Sequence, residues 1–228
     1  MLYFLNIYSD GGDFFNLFRY ITFRAGGAFF TALAFGFIFG NPIINFLKRK
    51  QKNGQPIRKD GPEHHLIKKA GTPTMGGVLV LGSMLISAIL WARLDNEYVW
   101  IILFVTLGFG LIGFADDYQK VVHQHSTGLS GKLRFGLGLL IALIASLMTM
   151  QMHSDSLSGF LAFPIFKTAL IDLGFFFIPF AMFVIVGSAN AVNLTDGLDG
   201  LAVMPAMIAG GALGIIAYAV GRIDFSEY

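Results

Sequence analysis

Cysteine is absent from the 228 residues. That excludes a disulfide framework and any thiolate nucleophile or ligand, and it leaves the redox compartment unreadable. Charge is scarce, at 13% of the chain, and the net charge of +2 says little by itself. No internal repeat, heptad run or low-complexity linker is present, so neither a solenoid nor a coiled coil is expected. The amino terminus lacks a basic stretch followed by a small-residue cleavage site, so no removable signal peptide is expected. What the chain has in quantity is apolar surface. Hydrophobic residues make up 55%, with 24 Phe and 28 Gly, and the mean hydropathy is +0.67.

The apolar residues fall into six stretches, roughly Ala25–Leu47, Gly76–Ala92, Val99–Ala115, Phe135–Met152, Leu173–Ala189 and Gly200–Gly221. A hydrocarbon core about 30 Å thick needs about 20 helical residues, so each stretch predicts a membrane span. The fold class expected is an all-α, polytopic membrane helix bundle forming one integral-membrane domain over 1–228. Glycine suits such a bundle because it lets helix backbones approach closely.

Charge placement orients the bundle. Lys48, Arg49, Lys50, Lys52, Arg58, Lys59, Lys68 and Lys69, half of all 16 Lys and Arg, lie between the first two stretches. The positive-inside rule makes that loop cytoplasmic. Alternation then places loops of about 48–75, 116–134 and 190–199 inside, and both chain ends outside. The inside loop 116–134 carries Lys120, Lys132 and Arg134, whereas the outside loop 153–172 carries only Lys167 among basic residues. A basic cluster that abuts a membrane segment argues against a nucleic-acid surface.

Three polar constellations fall on the inside face. In the first, Gly71 and Pro73 turn the chain into the second helix. Thr74 is placed to cap that helix, and Lys69 beside a helix amino terminus suits an anion. The second is Asp116-Asp117, expected at the carboxyl end of the third helix. Carboxylates there oppose the helix dipole, a cost that a bound cation removes. Adjacent helical residues point about 100° apart, so the two carboxylates are expected to meet different partners. The third is the string Asn190–Gly200. Asn190 and Asn193 are three apart, as are Asp196 and Asp199, and each pair shares a face on a helical turn. Gly197 and Gly200 supply backbone freedom, and Asp199 is placed to cap the sixth helix. His123 and His125 resemble a metal pair but read better as ordinary loop histidines. Pro179 and Pro205 are expected to mark kinks. Gly210 and Gly214 suit packing between helices of one chain better than a dimer seam, though a homodimer stays open.

The strings Arg58-Lys-Asp-Gly-Pro-Glu-His-His, Gly71-Thr-Pro-Thr-Met-Gly-Gly77, Gly113-Phe-Ala-Asp-Asp-Tyr-Gln-Lys120 and Asn190-Ala-Val-Asn-Leu-Thr-Asp-Gly-Leu-Asp-Gly-Leu-Ala202 resemble, in order, the phospho-N-acetylmuramoyl-pentapeptide-transferase family. That family is a branch of the polyprenyl-phosphate sugar-1-phosphate transferases of peptidoglycan biosynthesis. The resemblance runs over essentially the whole chain. It implies Mg²⁺-dependent transfer of phospho-MurNAc-pentapeptide from UDP to undecaprenyl phosphate, giving lipid I and UMP at the inner membrane of a bacterium. By the same resemblance Asp116 and Asp117 are the catalytic and metal-binding pair, and Lys132 is a basic catalytic residue. Lys69, Thr74, Asn190, Asn193, Asp196, Gly197, Leu198 and Asp199 lie in or near the nucleotide pocket. The family has ten membrane helices, with a third catalytic aspartate and a His-rich motif in later loops. Six of ten helices are expected here, so the chain reads as an amino-terminal fragment inactive on its own.

A phosphate monoester has a second pKa near 6 and is about 90% dianionic at pH 7. Aspartate has little deprotonation left to assist, so direct attack by the lipid phosphate is expected rather than an aspartyl-phosphate intermediate. Three other readings remain. Another polyprenyl-phosphate N-acetylhexosamine-1-phosphate transferase would share the aspartate pair. A transporter would place polar groups near the bilayer midplane rather than at helix ends. A catalytically silent membrane scaffold would bind no nucleotide sugar.

Overall fold

A computed structural model describes residues 1–51, 73–123, 128–152, 159–162, 170–195 and 201–220. Six apolar helices dominate them: α1 (Ile21–Lys50), α2 (Gly77–Trp91), α3 (Glu97–His123), α4 (Gly131–Met152), α5 (Phe177–Thr195) and α6 (Val203–Val220). Four segments are long and apolar enough to cross a membrane: Ile21–Lys50, Glu97–His123, Gly131–Gln151 and Gly174–Thr195. The bundle is therefore helical and polytopic, as expected. Helix α2 has 15 residues, about 22 Å at 1.5 Å per residue, shorter than a full hydrocarbon core.

Two elements depart from the all-α expectation. Short 3₁₀ turns, Leu2–Tyr8 and Phe14–Arg19, precede α1. A small antiparallel hairpin, β1 (Phe160–Ala162) with β2 (Leu170–Asp172), stands between α4 and α5, and Leu161 pairs with Ile171. Three-residue strands carry too little alternation to register against the long apolar runs around them.

Neighbouring helices run antiparallel and touch through glycine. A Cβ added at Gly27 of α1 would stand 2.5 Å from the Trp91 ring of α2. One at Gly110 of α3 would stand 2.6 Å from the Leu81 side chain of α2, and one at Gly108 would stand 2.8 Å from Ile141 of α4. No real Cβ fits at those distances without a shift, and at Gly27 the atoms that would have to move belong to the rigid Trp91 ring. In lipid, where apolar burial between helices gains little, such close packing carries association. Helix α4 is central, packed between α3 and α5, and its Ala142, Ala145 and Ser146 are almost fully buried. The Ser146 hydroxyl donates to the Ala142 carbonyl at 2.7 Å, which satisfies it inside the bundle.

Trp91 locks the α1–α2 pair at one end. Its ring stacks on Phe18 with centroids 6.0 Å apart and meets Phe23 edge-on. Its Nε1 donates to Thr31 Oγ1 at 2.8 Å. At this end Arg93 pairs with Asp95 at 2.6 Å, and that guanidinium holds the Asp95 carboxyl below the usual range. Helix α6 is exposed from residue 203 to 217 and reaches α1 through a 2.9 Å Thr22–Tyr218 hydroxyl pair.

The prolines fall differently from expectation. Pro179 and Pro205 are each the third residue of their helix, where the missing N–H has no helical partner to lose. They therefore start helices rather than kink them. Pro42 is the proline inside a helix, in α1.

Candidate active site

At the end of the bundle opposite Trp91, helices α1 to α4 meet. Gln51 follows α1 and receives Thr74 across the gap. Its Oε1 accepts from the Thr74 amide at 2.9 Å, and its Nε2 donates to the Thr74 carbonyl at 3.2 Å. This paired contact fixes the backbone of Thr74 and leaves its hydroxyl free to turn elsewhere. Thr74 does not cap α2, contrary to expectation, since the helix begins beyond Gly76 with no side-chain cap. Instead the Thr74 hydroxyl donates to Asp117 Oδ2 at 2.9 Å. Met75, between Thr74 and the helix, has a φ of 70°. This left-handed conformation costs a side chain of that size of order 1 kcal/mol or more.

The aspartate pair also sits differently from expectation. Helix α3 runs on to His123, so Asp116 and Asp117 lie about two turns inside it rather than at its end. Their charge is met by Lys120 one turn later. Its Nζ is 2.6 Å from Asp116 Oδ2 and 3.1 Å from Asp117 Oδ1. Acid before base at this spacing is the favourable order on a helix. The expected divergence of the two carboxylates is present. Asp117 turns to Thr74, while Asp116 Oδ1 accepts the Leu129 amide at 2.8 Å. Arg134 Nη1 approaches Asp116 Oδ2 at 3.7 Å. Asp116 is only 6% exposed, so this set of donors is what makes a charge there tolerable.

The connection into α4 completes the wall. The Ser130 hydroxyl accepts the Leu133 amide at 3.3 Å, which caps α4. Gly128 lies against Asp116 so closely that a Cβ would collide with the carboxylate and stand 2.7 Å from the Asp116 carbonyl oxygen. Asp116, Lys120, Gly128, Leu129, Ser130, Gly131 and Arg134 line a cavity of about 250 Å³. Two cations, a helix amino terminus and a carboxylate around one cavity suit a phosphate group together with its counter-ion.

Of the residues singled out in the sequence, Thr74, Asp116 and Asp117 are brought together. Lys132 is exposed and makes no hydrogen bond or ion pair with the described residues. Asn190 and Asn193 lie on the last turns of α5. Asn190 donates to the Val186 carbonyl of its own helix at 2.8 Å, and neither asparagine touches the aspartate pair. Lys69, Asp196, Gly197, Leu198 and Asp199 lie outside the described residues, as does His125. His123 closes α3, with its Nδ1 3.1 Å from the Gln119 carbonyl.

Sequence reasoning assigned no site role to Lys120, Arg134, Gly128 or Gln51. Lys120 had a usable signal, because it stands three and four residues after the two aspartates. Gly128 and Gln51 had none, since their parts depend on contacts between helices.

Among the described residues no three His, Asp or Glu side chains converge. The pair nonetheless offers four carboxylate oxygens, and the Lys120 ammonium between them shows that the space accepts a positive ion. Mg²⁺ binds through one or two carboxylates plus substrate phosphates, so these residues fit it.

Residues 99–228 match the family model of glycosyl transferase family 4. Residues 69–81 match signature 1 of phospho-N-acetylmuramoyl-pentapeptide-transferase. Among curated proteins, the phospho-N-acetylmuramoyl-pentapeptide-transferases of Ruegeria sp. (strain TM1040) and Ruegeria pomeroyi are 64% and 65% identical over all 228 residues. That of Dinoroseobacter shibae is 64% identical. The chain spans 63% of the length of each of these relatives. It belongs to glycosyl transferase family 4 and carries that family's phospho-N-acetylmuramoyl-pentapeptide-transferase signature.

Proposed function

We propose that the protein containing this chain transfers phospho-MurNAc-pentapeptide from its UDP diester to undecaprenyl phosphate, forming lipid I and UMP at the cytoplasmic face of the inner membrane. The observation that carries this reading is the Asp116–Lys120–Asp117 cluster beside a cavity lined by Arg134 and the amino terminus of α4. A recess with two cations and paired carboxylates suits displacement at a diphosphate better than it suits transport.

The chain's residues divide the work. Asp116 and Asp117 would hold Mg²⁺, which when bound supplies positive charge to the diphosphate. Lys120 and Arg134 offset charge on the acceptor and on the phosphoryl group in transfer. An acceptor oxygen attacks the sugar-bound phosphorus. That P–O bond forms as the diphosphate P–O bond breaks, and the electron pair leaves with UMP. The acceptor is already mostly dianionic at pH 7, so neither aspartate needs to remove a proton. Lys69, Thr74, Asn190, Asn193, Asp196, Gly197, Leu198 and Asp199 are proposed to receive the nucleotide and its sugar, and Lys132 to act as a basic catalytic residue.

The test is conversion of radiolabelled UDP-MurNAc-pentapeptide to butanol-extractable lipid I, in detergent with undecaprenyl phosphate and Mg²⁺. A complete enzyme carrying this sequence should make it. Product from UDP-N-acetylglucosamine instead would move the assignment to another branch, and no nucleotide-sugar binding at all would leave a scaffold.

A further inference from the structure

The Lys120 ammonium lies 2.6 Å from Asp116 Oδ2 and 3.1 Å from Asp117 Oδ1. A divalent ion about 2.1 Å from those same oxygens would claim the same space. We propose that Lys120 is a tethered counter-cation of the aspartate pair, exchanged for the divalent ion rather than bound beside it. The proposal rests on the reading of the pair as a metal site given above.

Three observations carry it. First, the lysine is held and largely enclosed. Its side chain is 16% exposed, against 9% for Asp116 and 30% for Asp117. An ammonium placed there to meet substrate alone would face the cavity without bridging both carboxylates. Second, the remaining oxygens are already committed to neutral donors. Leu129 N–H holds Asp116 Oδ1 and the Thr74 hydroxyl holds Asp117 Oδ2. The two oxygens that Lys120 takes are thus the ones left for an ion. Third, two carboxylates one residue apart and partly buried repel each other unless a cation stands between them. Lys120 provides that cation from the chain itself, so the pair stays ordered without metal.

Exchange has a second effect. Lys120 also lines the cavity with Arg134. Once displaced from the carboxylates, its ammonium can swing on a four-carbon stem into the recess that would hold a phosphate. Arrival of the divalent ion and delivery of a lysine to the phosphate would then be one event.

The purified chain in detergent is titrated with Mn²⁺, and free ion is read from its six-line paramagnetic resonance signal. Lys120→Gln is expected to tighten Mn²⁺ binding by at least about tenfold, by removing a like charge from the site. Lys120→Arg, which keeps the charge, should not tighten it. Equal or weaker binding by Lys120→Gln overturns the proposal. If wild type and variant bind alike, the metal reading survives and the exchange fails. If neither binds, both fall.

A second measurement needs no variant. Wild-type protein is treated with an amine-reactive acylating reagent, and modification of Lys120 is read by peptide mass spectrometry, with exposed Lys48 as reference. Added Mg²⁺ should raise Lys120 labelling severalfold and leave Lys48 unchanged. Unchanged Lys120 labelling at a Mg²⁺ concentration that saturates the site also overturns the proposal.

Discussion

Asp116 and Asp117 are neighbours in sequence yet answer to different parts of the bundle. Asp116 is nearly buried and tied to the α3–α4 connection. Asp117 is more open and tied to Thr74 ahead of α2. In a complete enzyme, Asp116→Asn and Asp117→Asn are each expected to lower turnover by at least about 100-fold, because each removes a charge aimed at phosphoryl transfer. The structural cost should differ. Asp116→Asn leaves Lys120 and Arg134 facing a neutral amide in an enclosed site, so it should lower the unfolding midpoint more than Asp117→Asn does. Near-normal lipid I formation by both variants would remove the pair from the chemistry. Gly128 gives a second residue-scale test. Gly128→Ala puts a methyl group against the Asp116 carboxylate and carbonyl. Lipid I formation should fall at least about tenfold, the change expected when a reacting group is displaced by a fraction of an ångström. Met75→Gly, by contrast, relieves a left-handed backbone and should raise the unfolding midpoint slightly.

At the scale of elements, helix contacts carry the predictions. Trp91→Ala removes a ring packed on Phe18 and Phe23 and a hydrogen bond to Thr31. It should destabilise the α1–α2 pair by about 3 kcal/mol, read as a lower denaturation midpoint in detergent by circular dichroism. The site at the opposite end should stay assembled, since Gln51 still holds Thr74 at the other end of the same pair. This is also the scale at which the sequence was most and least legible. The six apolar runs overlap the six apolar helices of the described residues, with ends missed by up to eight residues, and four of those helices, not six, are long and apolar enough to span. The end of α3 was misplaced by about two turns. Hydropathy falls at Asp116, but the helix continues because Lys120 compensates the charges that seemed to end it. The hairpin was invisible because three residues per strand show no period. Thr74 was expected to cap α2, but capping is a local expectation and its actual partner, Asp117, is 43 residues away.

For the whole molecule, orientation decides which compartment the site meets. Lys50 closes α1 at the end that bears the site, and Arg93 follows α2 at the opposite end. Single cysteines placed at each should report from opposite faces, which is clean here because the chain has no cysteine of its own. The Lys50 position is expected to react with an impermeant maleimide only after the membrane is opened, and the Arg93 position in intact spheroplasts. The reverse pattern would move the proposed site away from the nucleotide pool.

The hydrogen bonds of Asp116 and Asp117 also set an order in time. Every described partner of the two carboxylates lies between Thr74 and Arg134. During synthesis the chain is delivered from its amino end, so this buried cluster has all those partners once α4 begins to emerge. Helices α5 and α6 would therefore dock onto a half whose most costly charges are already settled. A nascent chain stalled just before Gly128 would instead hold Asp116 without its backbone donor, the Leu129 amide.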